Sequence, residues 1–520
     1  MATRFFVMVV FNLLLWSPAG FCQPFAVAKK RPNIVFILSD DHAYQAISAY
    51  GFGLNKTPNI DRIAKEGILF NRAFVTNSLC APSRAAILTG KYGHLNGIVG
   101  NGTEKFNGNQ NTFPKLLKQS GYQTAVIGKW HLNSDPVGFD FWKILPGQGH
   151  YYQPDFIDNG TRKTEPGYAT DLTTDFALNW LNQRDTSKPF CILVWEKAPH
   201  RDWFPPIKYL HLFDSINIPL PATFYDDYST RTRAAHEQKM QVNRDLADNY
   251  DLKLHFEIPN PPGRLDETWK GFLSRFTPEE RNIFEESYKK KNASFFAAHL
   301  SGMALAAWKY QRYMQDYLSC IQSVDDNVGR LTQYLKENHL DSNTIVIYSS
   351  DQGFYLGEHG WFDKRFMYDQ SFRTPLLIKW PAVIKQGATD SHLVMNIDIA
   401  ETLLEAAGVT IPEEMQGQSM LPLLKNQQPA NWRKAVYYHY YEAGDEHNVA
   451  KHIGIRSDHY KLIYFYENKE WEFYNLQKDP EEINNVYANP VYKKQISEMK
   501  KTLAGMQKKY KDPEPAIYSR

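Results

Sequence analysis

Reactive side chains gather first in the run Ser78-Leu-Cys80-Ala-Pro82-Ser-Arg84-Ala-Ala-Ile-Leu-Thr-Gly90. Proline is favoured in the first turn of a helix, where its missing N–H costs nothing, so Pro82 places Cys80 at a helix start. The unsatisfied N–H groups there, together with the helix dipole, favour an anion. Arg84 follows about one helical turn later and reaches the same anion. A nucleophile-type side chain, a guanidinium and a positive helix end therefore converge on one point. Taken alone, the run also reads as a buried cysteine ahead of a capped helix.

Four short β-rich runs point the same way. Asn33–Leu38 is followed by Ser39-Asp40-Asp41, and Thr124–Ile127 by Gly128-Lys129-Trp130-His131. Phe190–Trp195 leads to Lys197-Ala-Pro-His200, and Thr344–Tyr348 to Ser350-Asp351-Gln352. Ligands of open α/β sheets bind outside the carboxyl ends of the strands, so these ends aim acids, histidines and a lysine at one rim, as an enzyme requires. The adjacent carboxylates Asp40 and Asp41 repel unless a cation holds them. With Asp351 and Gln352 they form an all-oxygen set suited to a hard divalent ion, calcium being the leading candidate. No Cys or His cluster at zinc-ligand spacing accompanies them. Helix capping or turn formation is the alternative for any single aspartate. Lys129 and His131 alternate along a strand-like run and so share a side, an ammonium beside an imidazole in an anion pocket. Alone, that segment reads equally as a solvated strand end.

Residue for residue, the Cys80 run resembles the activation signature of the type I, formylglycine-dependent sulfatases of the alkaline-phosphatase superfamily. Gly121-Tyr-Gln-Thr-Ala-Val-Ile-Gly-Lys129-Trp-His131 resembles the second signature of that family, and the likeness runs in order from about Arg31 to Tyr487. It implies that a maturation enzyme oxidises Cys80 to formylglycine, whose hydrate attacks sulfur. It also implies that Asp40, Asp41, Asp351, Gln352 and the modified Cys80 hold one divalent cation. Gln352 departs from the family's more frequent Asn and presents the same carbonyl one methylene further out. His200 and Lys364, in Trp361-Phe-Asp-Lys-Arg365, occupy positions like the remaining catalytic residues of the family. In the implied mechanism Arg84, Lys129 and the metal offset charge on the sulfuryl oxygens, and His200 or Lys364 protonates the departing alkoxide. His131 removes the proton that lets the aldehyde reform and sulfate leave.

The stretch Asp351–Arg365 is most similar to bacterial carbohydrate sulfatases, including those acting on N-acetylglucosamine 6-sulfate, which implies a sulfated oligosaccharide or polysaccharide substrate. Asp363 and Arg365, flanking Lys364, and His452 in Lys451-His-Ile-Gly-Ile-Arg456 are the candidate sugar contacts. Their alternatives are a surface salt bridge and a core-edge histidine. Two rival functions stand beside the sulfatase reading. One is a phosphodiesterase or phosphonate monoester hydrolase of the same superfamily; the other is an inactive glycan-binding relative.

These residues need an α/β scaffold. The expected fold is a mostly parallel central sheet flanked by helices over residues 31–425, with a helical insertion around 203–308 packed on its outside. A smaller antiparallel sheet with one covering helix, about Pro490–Lys509, is expected over 432–520, after the linker-like Asn426–Asn431. The composition, 43% hydrophobic and 22% charged with a net charge of +2, is globular and gives no reason to expect nucleic acid. Arg4 ahead of the apolar Phe5–Trp16 reads as a signal peptide over residues 1–22, with cleavage as late as residue 28, and implies a periplasmic or secreted protein. No later stretch reads as a transmembrane span. Of the four cysteines, Cys22 leaves with the signal, while Cys191 and Cys320 read as small buried hydrophobes, with a bridge between them the alternative.

Overall fold

The computed structural model describes residues 31–257 and 260–513, with a few isolated positions before residue 9. The expected signal peptide and its cleavage sites fall almost wholly outside the described residues, as do residues 514–520.

Runs rich in Ile, Val, Leu and Phe become five adjacent parallel strands at the centre of a ten-stranded sheet. Their order is Thr344–Ser350, Asn33–Ser39, Phe190–Trp195, Gln123–Lys129 and Phe141–Leu145. Strand alternation sends Ile34, Phe36 and Leu38 into one core and Val35 and Ile37 into the other. Burial on both faces is why these strands read as continuous apolar runs. One face is covered by the helices Gly302–Glu337 and Ala169–Gln183. The helices Cys80–Thr89, Phe113–Gln119 and Asp398–Ala406 cover the other. The parallel reading holds for this centre, while both flanks are mixed. Leu376–Lys379 runs antiparallel to Thr344–Ser350, and Asp155–Asp158 to Phe141–Leu145.

The longer helices of residues 203–308 are Arg264–Leu273, Pro278–Ala298 and the start of the helix at Gly302, with short helices at Arg233–Glu237 and Val242–Asp245. They join the core on one face of the sheet through buried aromatic residues, while much of 264–298 stays exposed. Trp269 and Phe284 are fully buried and pack on Phe204, completing the core beside the Gly302–Glu337 helix.

The strands Ala435–Tyr440, His452–Ser457, Tyr460–Phe465 and Glu470–Asn475 form an antiparallel meander. The helix Lys493–Tyr510 packs on it through Ile496, Met499 and Leu503. The sheet shares its core with Phe74, Trp361, Phe366 and Met367, so it is built into the catalytic part. Cys191 and Cys320 are both free and buried, which removes the bridge between them. Among the described residues no helix is long and apolar enough to cross a membrane.

Candidate active site

The four strand ends open on one buried cluster. Asp41 N donates to Asp351 Oδ1 at 3.1 Å and Asp351 N to the Ser39 carbonyl at 3.2 Å, which ties two neighbouring strand ends together. Oxygens of Asp40, Asp41 and Asp351 lie within 4.8 Å of one another, and all three residues are inaccessible to solvent. Burial, opposed by Lys364 and reinforced by the Asp351 and Asp363 charges, pushes the Asp41 carboxyl up to about 6. The Gln352 amide donates to Asp41 Oδ1, which leaves its Oε1 buried without a partner. A buried orphan carbonyl beside three crowded carboxylates is the donor set of a hard divalent cation, so the residues present fit such an ion.

Cys80 opens the helix Cys80–Thr89 as expected, with its Sγ 3.3 Å from Asp40 Oδ1. The helix has no side-chain cap at Leu79; instead Ala81 N donates to Asn101 Oδ1 at 3.0 Å. Burial pushes the Cys80 thiol up to about 12, so the unmodified side chain is a poor nucleophile at neutral pH. The Arg84 guanidinium carbon lies over the Trp195 ring, 5.3 Å from its centroid, and its Nε and Nη2 donate to Asp351 Oδ2 at 3.0 and 2.9 Å. Its Nη1 reaches the Lys129 carbonyl.

Lys129 pairs with Asp40 and also donates to Gln148. Gly128 permits this, because a Cβ there would lie 2.0 Å from the Trp195 carbonyl and its φ is +103°. Lys364 donates to both oxygens of Asp41 at 2.7 Å. His200 turns its Nε2 to within 3.8 Å of Asp41 Oδ2 while Nδ1 sits 3.0 Å from the Arg201 carbonyl. The strand ends at Lys129 and His131 is left-handed at φ 57°, so strand alternation does not place His131 beside Lys129. The turn still leaves its imidazole among the cations: burial, then Lys129, Arg84 and Lys364, hold it well below the usual histidine range. His200 is depressed in the same way, by burial first and then by Lys129 and Lys364.

Residues 32–409 match the family model described as Sulfatase, and residues 357–509 match the N-sulphoglucosamine sulphohydrolase C-terminal model. An N-acetylglucosamine-6-O-sulfatase of Bacteroides thetaiotaomicron is 48% identical over 508 residues, covering 96% of this chain and 90% of that protein. The chain belongs to the sulfatase family. It is a sulfuric ester hydrolase, and the phosphoester and binding-protein alternatives find no support in these matches. The human N-acetylglucosamine-6-sulfatase is 28% identical over 468 residues, covering 84% of this chain and 72% of the human protein. A solved structure of a protein in complex with its substrate D-glucosamine-2-N,6-O-disulfate superposes with a TM-score of 0.90. It is 48% identical and covers 94% of this chain and 100% of its own.

The three sugar-contact candidates of this sulfatase separate. Asp363 and Arg365 pair with each other at 2.9 Å on the loop that carries Lys364. Arg365 also meets Glu442 at 3.4 Å and Asp445 at 2.5 Å, so the two belong to a nearly buried ion network. His452 lies in a different setting. It is inaccessible to solvent, with the rings of Tyr438, Tyr440, Phe366 and Phe465 around it, and its Nε2 is buried without a hydrogen-bond partner. His447 approaches the loop instead, its Nε2 3.4 Å from Asp363 Oδ2.

Sequence reasoning left out three residues that the structure brings to the site's edge, Asn101, Gln148 and His447, and gave Lys197 no role beyond its place at the rim. Lys197 stands two residues past the strand end at Trp195 and carried a positional signal. The other three sit in irregular segments and carried none.

Proposed function

We propose that this sulfatase is exported, carries formylglycine at position 80 and one Ca²⁺ at Asp40, Asp41, Asp351 and Gln352, and removes 6-O-sulfate from N-acetylglucosamine units of sulfated glycans. The observation that carries the substrate reading is the near full-length 48% identity to an N-acetylglucosamine-6-O-sulfatase. The structural neighbour solved with D-glucosamine-2-N,6-O-disulfate, which bears a 6-O-sulfate, supports it. Export rests on the Arg4–Trp16 signal pattern. A divalent ion bound at the carboxylate cluster supplies Lewis-acid polarisation of a sulfuryl oxygen, and formylglycine supplies a hydroxyl nucleophile where the thiol is inert.

The remaining work falls to side chains whose positions are fixed. Arg84 is locked by Asp351 and by the Lys129 carbonyl, so it faces developing sulfuryl charge without reorganising. Lys129 and Lys364 add two ammonium groups on opposite carboxylates of the cluster. A sugar alkoxide is a poor leaving group and needs a proton; His200 Nε2, on the Asp41 side, is placed to deliver it once the charge of the bound sulfate ester has favoured the imidazolium, with Lys364 the second donor. His131, kept neutral by burial and cations, has an unpartnered buried Nδ1 and serves as proton acceptor. Asp363 and Arg365 hold sugar hydroxyls beside Lys364.

Mass spectrometry of the Cys80 peptide, from protein made with a maturation enzyme, is the test. The expected product has the mass of an aldehyde or its hydrate, and the modified protein should turn over N-acetylglucosamine 6-sulfate faster than N-acetylgalactosamine 4- or 6-sulfate. An intact thiol in active enzyme defeats the mechanism. Modified protein that prefers another sulfated sugar defeats only the substrate.

A further inference from the structure

The turn that carries His200 is held more tightly than an exposed loop needs. Glu196 N donates to the Leu38 carbonyl at 2.8 Å, fixing the start of the turn to the first strand. His200 N donates to the Lys197 carbonyl at 3.0 Å, and Tyr151 Oη donates to the His200 carbonyl at 2.8 Å. Beyond His200 the backbone turns left-handed at two non-glycine residues, Asp202 (φ 81°) and Trp203 (φ 32°). Such conformations persist only where the surroundings over-determine them, and they cluster at functional sites. Here Lys197 Nζ reaches Asp202 Oδ1 at 3.2 Å across the turn, and Lys253 Nζ donates to the Asp202 carbonyl at 2.9 Å. Lys197 also lies 4.5 Å from the centre of the Tyr151 ring, the same tyrosine that holds the His200 carbonyl. Both members of the pair are nearly inaccessible, at 1% and 2%. Among the described residues, neither hydrogen-bonds to Asp40, Asp41 or Asp351.

We infer that Lys197 and Asp202 form a positioning pair that closes the turn and aims the His200 imidazole at the leaving oxygen. The pair touches no reacting atom and acts through His200. The inference rests on the proton-donor role given to His200 above, and the experiment separates the two.

The variants are Lys197→Met, Asp202→Asn, His200→Ala and the double variant Lys197→Met/His200→Ala. Each is assayed with the sulfated monosaccharide that the parent turns over fastest, with kcat expressed per formylglycine-bearing molecule and folding followed by thermal melting. Lys197→Met and Asp202→Asn should each lower kcat by about 10- to 100-fold, part of what a general acid contributes, with KM within about twofold. In the His200→Ala background, Lys197→Met should cost nothing further, because its effect passes through the missing imidazole. Asp202→Asn, nearly isosteric, carries the test if Lys197→Met fails to fold. Equal losses with and without His200 overturn the pairing and leave the proton-donor role intact. Unchanged kcat in Lys197→Met and Asp202→Asn overturns it as well. Full kcat in His200→Ala removes the proton-donor role, and the positioning role falls with it.

Discussion

His200 and His452 are alike in type and close in burial, yet they belong to different kinds of interior. Burial depresses both imidazoles, His452 to about 3 and His200 well below the usual range. Around His200 lie a carboxylate of Asp41 and the ammonium groups of Lys129, Lys364 and Lys197. Around His452 lie four aromatic rings, with centroids 5.1 to 5.7 Å away. A perturbed titration therefore does not mark function in this molecule; ionic company converging on one point does. The rim of the large sheet gathers charge at strand ends, whereas the small C-terminal sheet uses its polar side chains as packing.

The comparison is sharpest where the rim loses chemistry. Cys80→Ala removes the residue proposed as the source of the nucleophile, and kcat should fall by about 10⁵-fold or more while the melting temperature changes little. Turnover within tenfold of the parent would remove Cys80 from the mechanism. Arg84→Lys comes next. A lysine cannot reproduce the two bonds that Arg84 makes to Asp351 while also reaching the Lys129 carbonyl, so kcat should drop by about 10²- to 10³-fold. A change in KM alone would mean that Arg84 binds ground state and transition state equally.

A smaller effect separates the rim from the rest in stability. Three crowded carboxylates and the orphan Gln352 carbonyl are brought together in the native state only, so the proposed cation would bind there and not to the unfolded chain. Chelation should therefore lower the melting temperature, and Ca²⁺ at about 100 times its Kd should restore about 2.7 kcal/mol. Asp351→Asn should abolish that response. A calcium response that survives in Asp351→Asn would place the ion elsewhere.

Much of the rim was legible because its motifs are local. A strand that ends in Asp-Asp, or a helix that opens at Cys80 with Arg84 one turn on, needs no distant partner to be recognised. The failures came where distant chain decides. Alternation could not foresee the left-handed turn at His131, which ends the strand at Lys129. Within 203–308, charged helical sequence does not disclose that Trp269 and Phe284 will bury against Phe204. For His452 the missing information was a cover. An antiparallel sheet commonly keeps one face in water, and a polar residue on that face is free to meet a ligand. Here the loop carrying Phe366 and Met367 packs on it: Phe366 lies against His452, and a Cβ on Gly454 would fall 2.4 Å from the Met367 sulfur.

That cover makes His452→Phe the smallest and most discriminating change. Phenylalanine suits a pocket of four rings and gives up one contact, from Nδ1 to the Ala450 carbonyl at 2.8 Å. Both kcat and KM should stay within about twofold of the parent, whereas Arg365→Ala, on the Lys364 loop, should raise KM. Stability should change with pH instead. With a folded pKa near 3 against 6.5, native His452 stays neutral while the unfolded chain takes up a proton as pH falls below 6.5. The unfolded state then binds more protons, so this residue's contribution is complete above 6.5 and is lost progressively towards pH 3. His452→Phe should therefore flatten the acid-side fall in melting temperature while leaving the neutral value nearly unchanged. A raised KM with an unaltered acid limb would reverse the assignment and return His452 to the cleft, and with it the view that only the ionic rim meets the sugar.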